Sequence, residues 1–368
     1  MLKKWMLISV SLILILVVLT GCGARSTDQN TDSSNTDKSE DVDTNTKDSE
    51  PATETLKKEE VIVIKFSHVV AEDTPKGQAA NMFKELAEKY TDGRVEVEVF
   101  PNSQLYNDDD VLAAVQQNNV QLAAPSTSKV SKLFPQWTIF DFPFAFEDVA
   151  SVQAAMESEE IGGKLFKMLT DQDLLGLAMW DNGFKQMTLD DHPLYMPEDF
   201  EGQQFRVMSS KVLEAQFESV DAVPTPMPFS EVYSALEQGV INGQENTLSN
   251  IYSKKFHEVQ RYMTISNHGY LGYAVITNDK FWNGLPDNIR EQLQKALNET
   301  TQWVRENGER LNQENLDKII ADDMLEEIHY LTNEQKQAWI DVMNVVYEEY
   351  EDEVGADLIN AVKELRDN

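Results

Sequence analysis

Cysteine is almost absent, with one residue, Cys22, in a chain of 368. No disulfide within the chain is possible, and neither clustered thiol chemistry nor a cysteine-built metal site is available. Basic residues are also scarce: Lys and Arg number 31 against 64 Asp and Glu, a formal charge of −33. That balance argues against nucleic acid or an anionic lipid surface as a partner. Long apolar runs are missing apart from Leu7 to Leu19, which falls short of the roughly 20 residues a membrane-spanning helix needs. The signatures HExxH, GxSxG, P-loop and GxGxxG do not occur, and the five histidines, at 68, 192, 257, 268 and 329, show no metal-ligand spacing. They read as surface or hydrogen-bonding residues. No metal and no cofactor is expected, and the chain does not read as an enzyme. One catalytic pattern is present, Ser126-Thr-Ser-Lys129, which fits SxxK. Its usual companions, Ser-Asp-Asn and Lys-Thr-Gly, are absent, so a binding loop is the better reading.

What is there begins with Lys3 and Lys4, the apolar run, and then Leu19-Thr-Gly-Cys22. This order predicts a signal peptide over residues 1–21. The cysteine directly after Leu-Thr-Gly resembles a bacterial lipobox, which implies acylation of Cys22 and a lipid anchor. From there to about residue 60 the chain is Ser, Thr, Asp, Asn, Glu and Lys with almost no large apolar side chain. Such a composition cannot offset chain entropy by burial and predicts a disordered, self-repelling tether over 22–60. The expected location is the extracellular face of a cell membrane, in a Gram-positive envelope, or the periplasm of a Gram-negative one.

Beyond Val61 roughly 308 residues remain, about right for two lobes. Val61 to Phe66 reads as a strand. Ala79, Phe83, Leu86 and Tyr90 mark one helix face, and Val95, Val97 and Val99 alternate with charged residues in a second strand. The same alternation returns with a helix near 110–117 and strands near 120–124, 174–180 and 204–208, so the class is α/β. After Pro286, apolar residues from Ile289 to Leu316 keep helical spacing, and Gly308 is the weak point of that long helix. Thr332-Asn-Glu-Gln335 has capping-box spacing ahead of a further helix.

The most informative stretch holds Phe205-Arg-Val-Met-Ser-Ser210, Pro224-Thr-Pro-Met-Pro-Phe-Ser-Glu-Val-Tyr233 and Gly239-Val-Ile-Asn-Gly-Gln-Glu-Asn246. In the first block, strand alternation sets Arg206 opposite Phe205 and Val207. A guanidinium on a rigid strand can grip a carboxylate bidentately, or pair with one of the chain's own acids. The three blocks resemble the solute-binding subunits of tripartite ATP-independent periplasmic (TRAP) transporters, over essentially all of the chain from Val61 onward.

The resemblance implies a two-lobed periplasmic-binding-protein-like fold of the type II, Venus-flytrap kind, with a long helix spanning both lobes. Lobe I is expected over 61–182 plus 273–311, and lobe II over 183–272 plus 312–368. It implies that Arg206 binds the substrate carboxylate, that Phe229 packs on the ligand and that Asn246 hydrogen-bonds the carboxylate beside the arginine. Lys185 stands where many relatives carry arginine, Lys76 is a candidate for a distal carboxylate, and Ser126, Ser209 and Ser210 are candidate polar lining. The runs Val207 to Phe217 and Ser266 to Tyr273 look like C4-dicarboxylate receptors. The implied function is capture of succinate, fumarate or malate by cleft closure, as a monomer serving small and large TRAP permease subunits. Alternatives are another organic acid such as sialic acid, a keto acid or another monocarboxylate, an anchored sensor, or an extracellular enzyme.

Overall fold

The computed structural model describes residues 60–366. The expected signal peptide, Cys22 and all but the last residue of the expected tether lie outside the described residues. Among those described, no helix is long and apolar enough to cross a membrane.

The chain opens as the alternation dictates. β1 (Ile62–Ser67) is followed by a helix, Pro75–Tyr90, and then by β2 (Val95–Phe100). Thr74 accepts a hydrogen bond from the Gly77 amide and Pro75 takes the first helical position, so the helix start is capped and preset in φ. Ala79, Ala80, Phe83, Leu86 and Ala87 form its buried face. β3 (Leu122–Ala123) is only two residues long, because backbone pairing extends over less of the expected 120–124 run. β4 (Leu174–Phe184) and β10 (Tyr270–Asn278) complete a sheet of order β2-β1-β3-β10-β4, with β1 parallel to β2 and β3 and with β10 antiparallel to β3 and β4.

The second sheet contains β5 (Gln186–Leu189), β6 (Gln204–Val207), β7 (Val223–Pro226), β8 (Gly243–Asn246), β9 (Tyr262–Ile265) and β11 (Glu327–Tyr330). Their order is β11-β9-β5-β8-β6-β7. β7 holds Pro224 and Pro226 and sits at the edge, where a missing amide donor costs least. The chain passes between sheets at Lys185, between β9 and β10, and again after the long helix Asp287–Asp322. That helix packs on Pro75–Tyr90 and β4, and also on Leu248–Ser253 beside the second sheet. Its amphipathic seam runs from Ile289 to Ile319. Thr332 and Gln335 then form the reciprocal capping box of the helix Asn333–Met343.

One part of the chain departs from the expected partition. β11 joins the second sheet, but the helices beyond Val345 pack against residues 135–163 on the side of the first. Val346, Tyr347, Leu358 and Ile359 share an apolar cluster with Trp137, Phe140, Phe142 and Val152. The physical reason is the aromatic-rich segment 134–146, whose rings need a cover that its own short helical turns do not supply.

Candidate functional site

β6 carries Arg206 on the buried side of the second sheet, with 2% of its surface exposed. Its Nε and Nη2 both donate to the Met227 carbonyl, at 3.2 and 3.0 Å, which fixes the plane of the guanidinium. Nη1 has no acceptor and the side chain no ion pair among the described residues. Burial lowers its pKa to about 10, against the opposing influence of Asp108 and Glu245, so it stays charged at neutral pH. A buried cation without a paired anion is costly unless a ligand supplies one.

The group supplied belongs in the cavity that Arg206 helps to wall. The cavity has ≈ 260 Å³ of empty space, including its open mouth, and is lined by Val69, Val70, Asp108 and Ser126 from the first-sheet half and Met208, Phe229, Asn246 and Asn250 from the second. Leu271 and Tyr273 on β10 complete it. Asn246 ends β8, and its Oδ1 accepts from the Thr247 amide and from Asn250 Nδ2 at 3.1 and 2.7 Å. Its own amide nitrogen therefore remains a donor. Ser126 Oγ and Asn250 Oδ1 are buried without partners. The Phe229 ring centroid is 6.0 Å from Arg206 Cζ. Burial pushes the Tyr273 phenol well up, so it stays a protonated donor. Sequence reasoning thus brought Arg206, Phe229, Asn246 and Ser126 to one place, and missed Asp108, Asn250 and Tyr273.

Four other candidates, Lys76, Lys185, Ser209 and Ser210, stand outside that lining. Lys76 is fully buried behind it, with Nζ donating to the Ala124 carbonyl at 2.9 Å and lying 3.4 Å from the Tyr273 ring centroid. Burial lowers its pKa to about 7, partly opposed by Asp108. Lys185 is not at the cavity but paired: Nζ meets Glu245 Oε1 at 2.6 Å, and Glu245 Oε2 accepts from His268 at 2.7 Å. Burial alone would raise the Glu245 carboxyl, but Lys185 and His268 outweigh it and hold it at about 2. The partner residues come from β8 and from the β9–β10 connection, which is why local sequence did not reveal the pairing. His268, expected as an ordinary hydrogen-bonding residue, is fully buried between Glu245 and Ser266.

Ser209 accepts from Lys129 Nζ at 3.0 Å, and Lys129 also bonds Asp109 at 3.0 Å. The lysine of the SxxK pattern therefore ties residue 129 to the second-sheet half of the molecule and makes no hydrogen bond to Ser126. Ser209 and Ser210 border a larger groove with ≈ 730 Å³ of empty space, where Lys132 and Lys211 are each paired with a carboxylate. A groove with ≈ 1250 Å³ of empty space beside Gly183 and Asn312 is lined by no Lys or Arg at all. Both are roomier than the Arg206 cavity, yet neither offers an unpaired cation. No group of His, Cys, Asp and Glu suited to a metal occurs among the described residues.

A buried, unpaired arginine facing a donor-lined cavity between two sheets is the chemistry of anion capture, and residues 66–353 match the family described as bacterial extracellular solute-binding protein, family 7. The chain belongs to that family. It is 45% identical over 305 residues to a C4-dicarboxylate-binding protein of Bacillus subtilis, covering 83% of this chain and 87% of the relative. Identity to a C4-dicarboxylate-binding periplasmic protein of Rhodobacter capsulatus is 48%, over 83% of this chain and 91% of that one. Among solved structures, a TRAP periplasmic solute-binding protein of Shewanella oneidensis with bound succinate aligns with a TM-score of 0.81 and 43% identity, over 83% of this chain and 99% of that one. A second, from Pseudomonas aeruginosa with bound L-malate, gives a TM-score of 0.76 at 38% identity, over 78% of this chain and 100% of that one.

Proposed function

We propose that this protein is the extracytoplasmic receptor of a TRAP transporter and captures a C4-dicarboxylate, with Arg206 gripping one carboxylate and Asn246 and Ser126 donating beside it. The observation that carries the reading is the buried guanidinium that has no ion pair. The names and bound ligands of the relatives support the substrate class. The distal carboxylate is met through the Tyr273 hydroxyl, with the Lys76 charge directly behind its ring. Phe229 packs on the ligand. Residues 61–182 with 273–311 and residues 183–272 with β11 act as two lobes that close on the ligand, and the closed form is what the membrane permease subunits accept. Cys22 anchors a monomeric receptor at the extracellular face of the cell membrane.

Calorimetric titration with succinate, fumarate, L-malate and several monocarboxylates tests the assignment. Saturable heat with C4-dicarboxylates, and recovery of the ligand unchanged, is the expected result. Binding confined to monocarboxylates, or turnover of the ligand, overturns it. The enzyme alternative has little support, since the lysine of the SxxK pattern is held by Asp109 and Ser209.

A further inference from the structure

The cavity contains a group that a receptor for a bare dianion does not need. Asp108 is 6% exposed and forms part of the lining, yet its carboxylate has no hydrogen bond and no ion pair among the described residues. Its neighbours are treated otherwise. Asn107 Oδ1 accepts from the amides of Asp109 and Asp110 at 2.8 and 3.1 Å, and Asp109 is gripped by Lys129 and Lys132. The turn is thus fastened on both sides of Asp108, which leaves that one carboxylate at the cavity wall.

The charges of Arg206, Lys76 and Lys129 act on this carboxylate and offset its own, but its oxygens are left without a hydrogen-bond donor. The carboxylate also repels a second anion placed beside Arg206. Succinate presents only acceptors along with its apolar chain, so it leaves Asp108 unmatched. A C4-dicarboxylate with a donor on C2 matches it while its carboxylates take Arg206, Asn246 and Ser126. We propose that Asp108 is the specificity-determining residue of this site, accepting a hydrogen bond from a donor on C2 of the ligand, as the hydroxyl of malate supplies. Asn250 Oδ1, buried without a partner on the same wall, is a neutral acceptor for the same group. This inference rests on the dicarboxylate reading above and narrows it to 2-substituted acids.

Sites built to pair a substrate donor discriminate strongly against the analogue that lacks it, because their own buried group is then left unpaired. The test is calorimetry of the intact protein with succinate, L-malate and L-aspartate, for the wild type, Asp108→Ala and Asp108→Asn. Wild-type protein is expected to prefer L-malate to succinate by about tenfold or more. Asp108→Ala weakens L-malate and strengthens succinate, so that the preference shrinks to within about threefold. Asp108→Asn, nearly isosteric, keeps an acceptor without the charge and falls between the two. The aspartate arm separates a hydroxyl site from an ammonium site: aspartate binding more tightly than malate, and losing more on Asp108→Asn, assigns the donor as a cation. A wild type that binds succinate at least as well as malate, or an Asp108→Ala variant in which both acids shift together, overturns the inference while leaving the dicarboxylate function intact. No heat with any of the acids overturns the functional reading itself, and the inference falls with it. Because the Asp108 side chain makes no hydrogen bond, neither substitution removes one, and thermal melts of both variants check the fold.

Discussion

At the scale of single residues the charge on Arg206 is held by two bonds to the Met227 carbonyl, which orient it without neutralising it. Arg206→Ala removes the one lining cation, and with a charge-assisted bond worth about 1.5–3 kcal/mol and a stranded buried partner costing about 3–5, affinity falls on the order of a hundredfold or more. Arg206→Lys keeps the charge but cannot bond Met227 twice and still face the ligand, and is expected to lose about tenfold. Calorimetry of both variants checks the pair, and micromolar binding by the alanine variant refutes the site. Lys76 gives a second prediction. Its folded pKa of about 7 lies below the unfolded value of 10.5, so between these the unfolded chain holds more protons and stability rises with pH. Lys129 and Lys254, also lowered by burial, slope the same way. His68, at about 3, and Asp141, raised by burial to about 6, change state below this window, and the buried tyrosines above it. Denaturation from pH 7 to 9.5 should show the rise, by up to about 1.4 kcal/mol per pH unit for each proton, and Lys76→Met should flatten part of it. Affinity for a dianion runs the opposite way, since the ligand favours protonated Lys76. Arg206 was legible because strand alternation and a dense local motif agree on it. The pairing of Lys185 was not legible because its partner Glu245 lies 60 residues away, with His268 on that carboxylate's other oxygen, and their closeness is a product of folding of the second sheet.

At the scale of elements the passage between sheets rests on Gly183 and the long helix. Gly183 has φ +115, and a Cβ there would approach Asn312 Nδ2 to 2.8 Å. Asn312 in turn donates to the Asn182 carbonyl at 2.5 Å and accepts from the Ser249 amide at 3.0 Å, stapling the long helix to the crossing strand and to the helix beside the second sheet. Gly183→Ala therefore strains the backbone and displaces the staple, a destabilisation of about 1–3 kcal/mol. Gly308 lies nearby in the same helix and needs neither freedom. Its Cβ would sit 3.9 Å from Asp181 Cβ, an ordinary contact, so Gly308→Ala should stabilise by about 1 kcal/mol through helix propensity. Urea melts of the two variants, moving in opposite directions, are the check. Equal destabilisation would show that the helix needs its glycine. The βαβ opening, the long helix and the capped helix after Thr332 were all readable, since each has a period or a cap. β8 was not. All four of its residues, Gly-Gln-Glu-Asn, are buried although three are polar, because they pair with ligand-site and ion-network groups that are assembled only by folding. β7 hid behind its two prolines, and the terminal helices behind a cover relation with residues 134–146 that no local pattern encodes.

At the scale of the whole molecule, the dicarboxylate function proposed above requires a dianion to be held on a chain of net charge −33. If Cys22 serves only to anchor, Cys22→Ala leaves affinity in solution unchanged while cellular uptake falls, and a shift in the binding constant contradicts that division of labour. Attraction to the ligand is a local matter: Arg206 and Lys76 are buried at the cavity, while the surplus acids lie mainly on exposed faces. At physiological ionic strength charges are screened over about 8 Å, so salt mutes the general repulsion, whereas enclosed pairs feel it little. Two neutral-acceptor contacts cross the cleft at 3.0 Å, Lys129 to Ser209, which is partly buried, and Lys254 to Asn102, which is exposed. Raising salt from about 20 to 200 mM should then speed association modestly, on the order of two- to threefold, with dissociation almost unchanged. Stopped-flow tryptophan fluorescence separates the two rates. A steep fall in the association rate with salt would mean that a positive funnel steers the ligand from long range, and the balance of buried cations against surface acids described for this molecule would then be wrong.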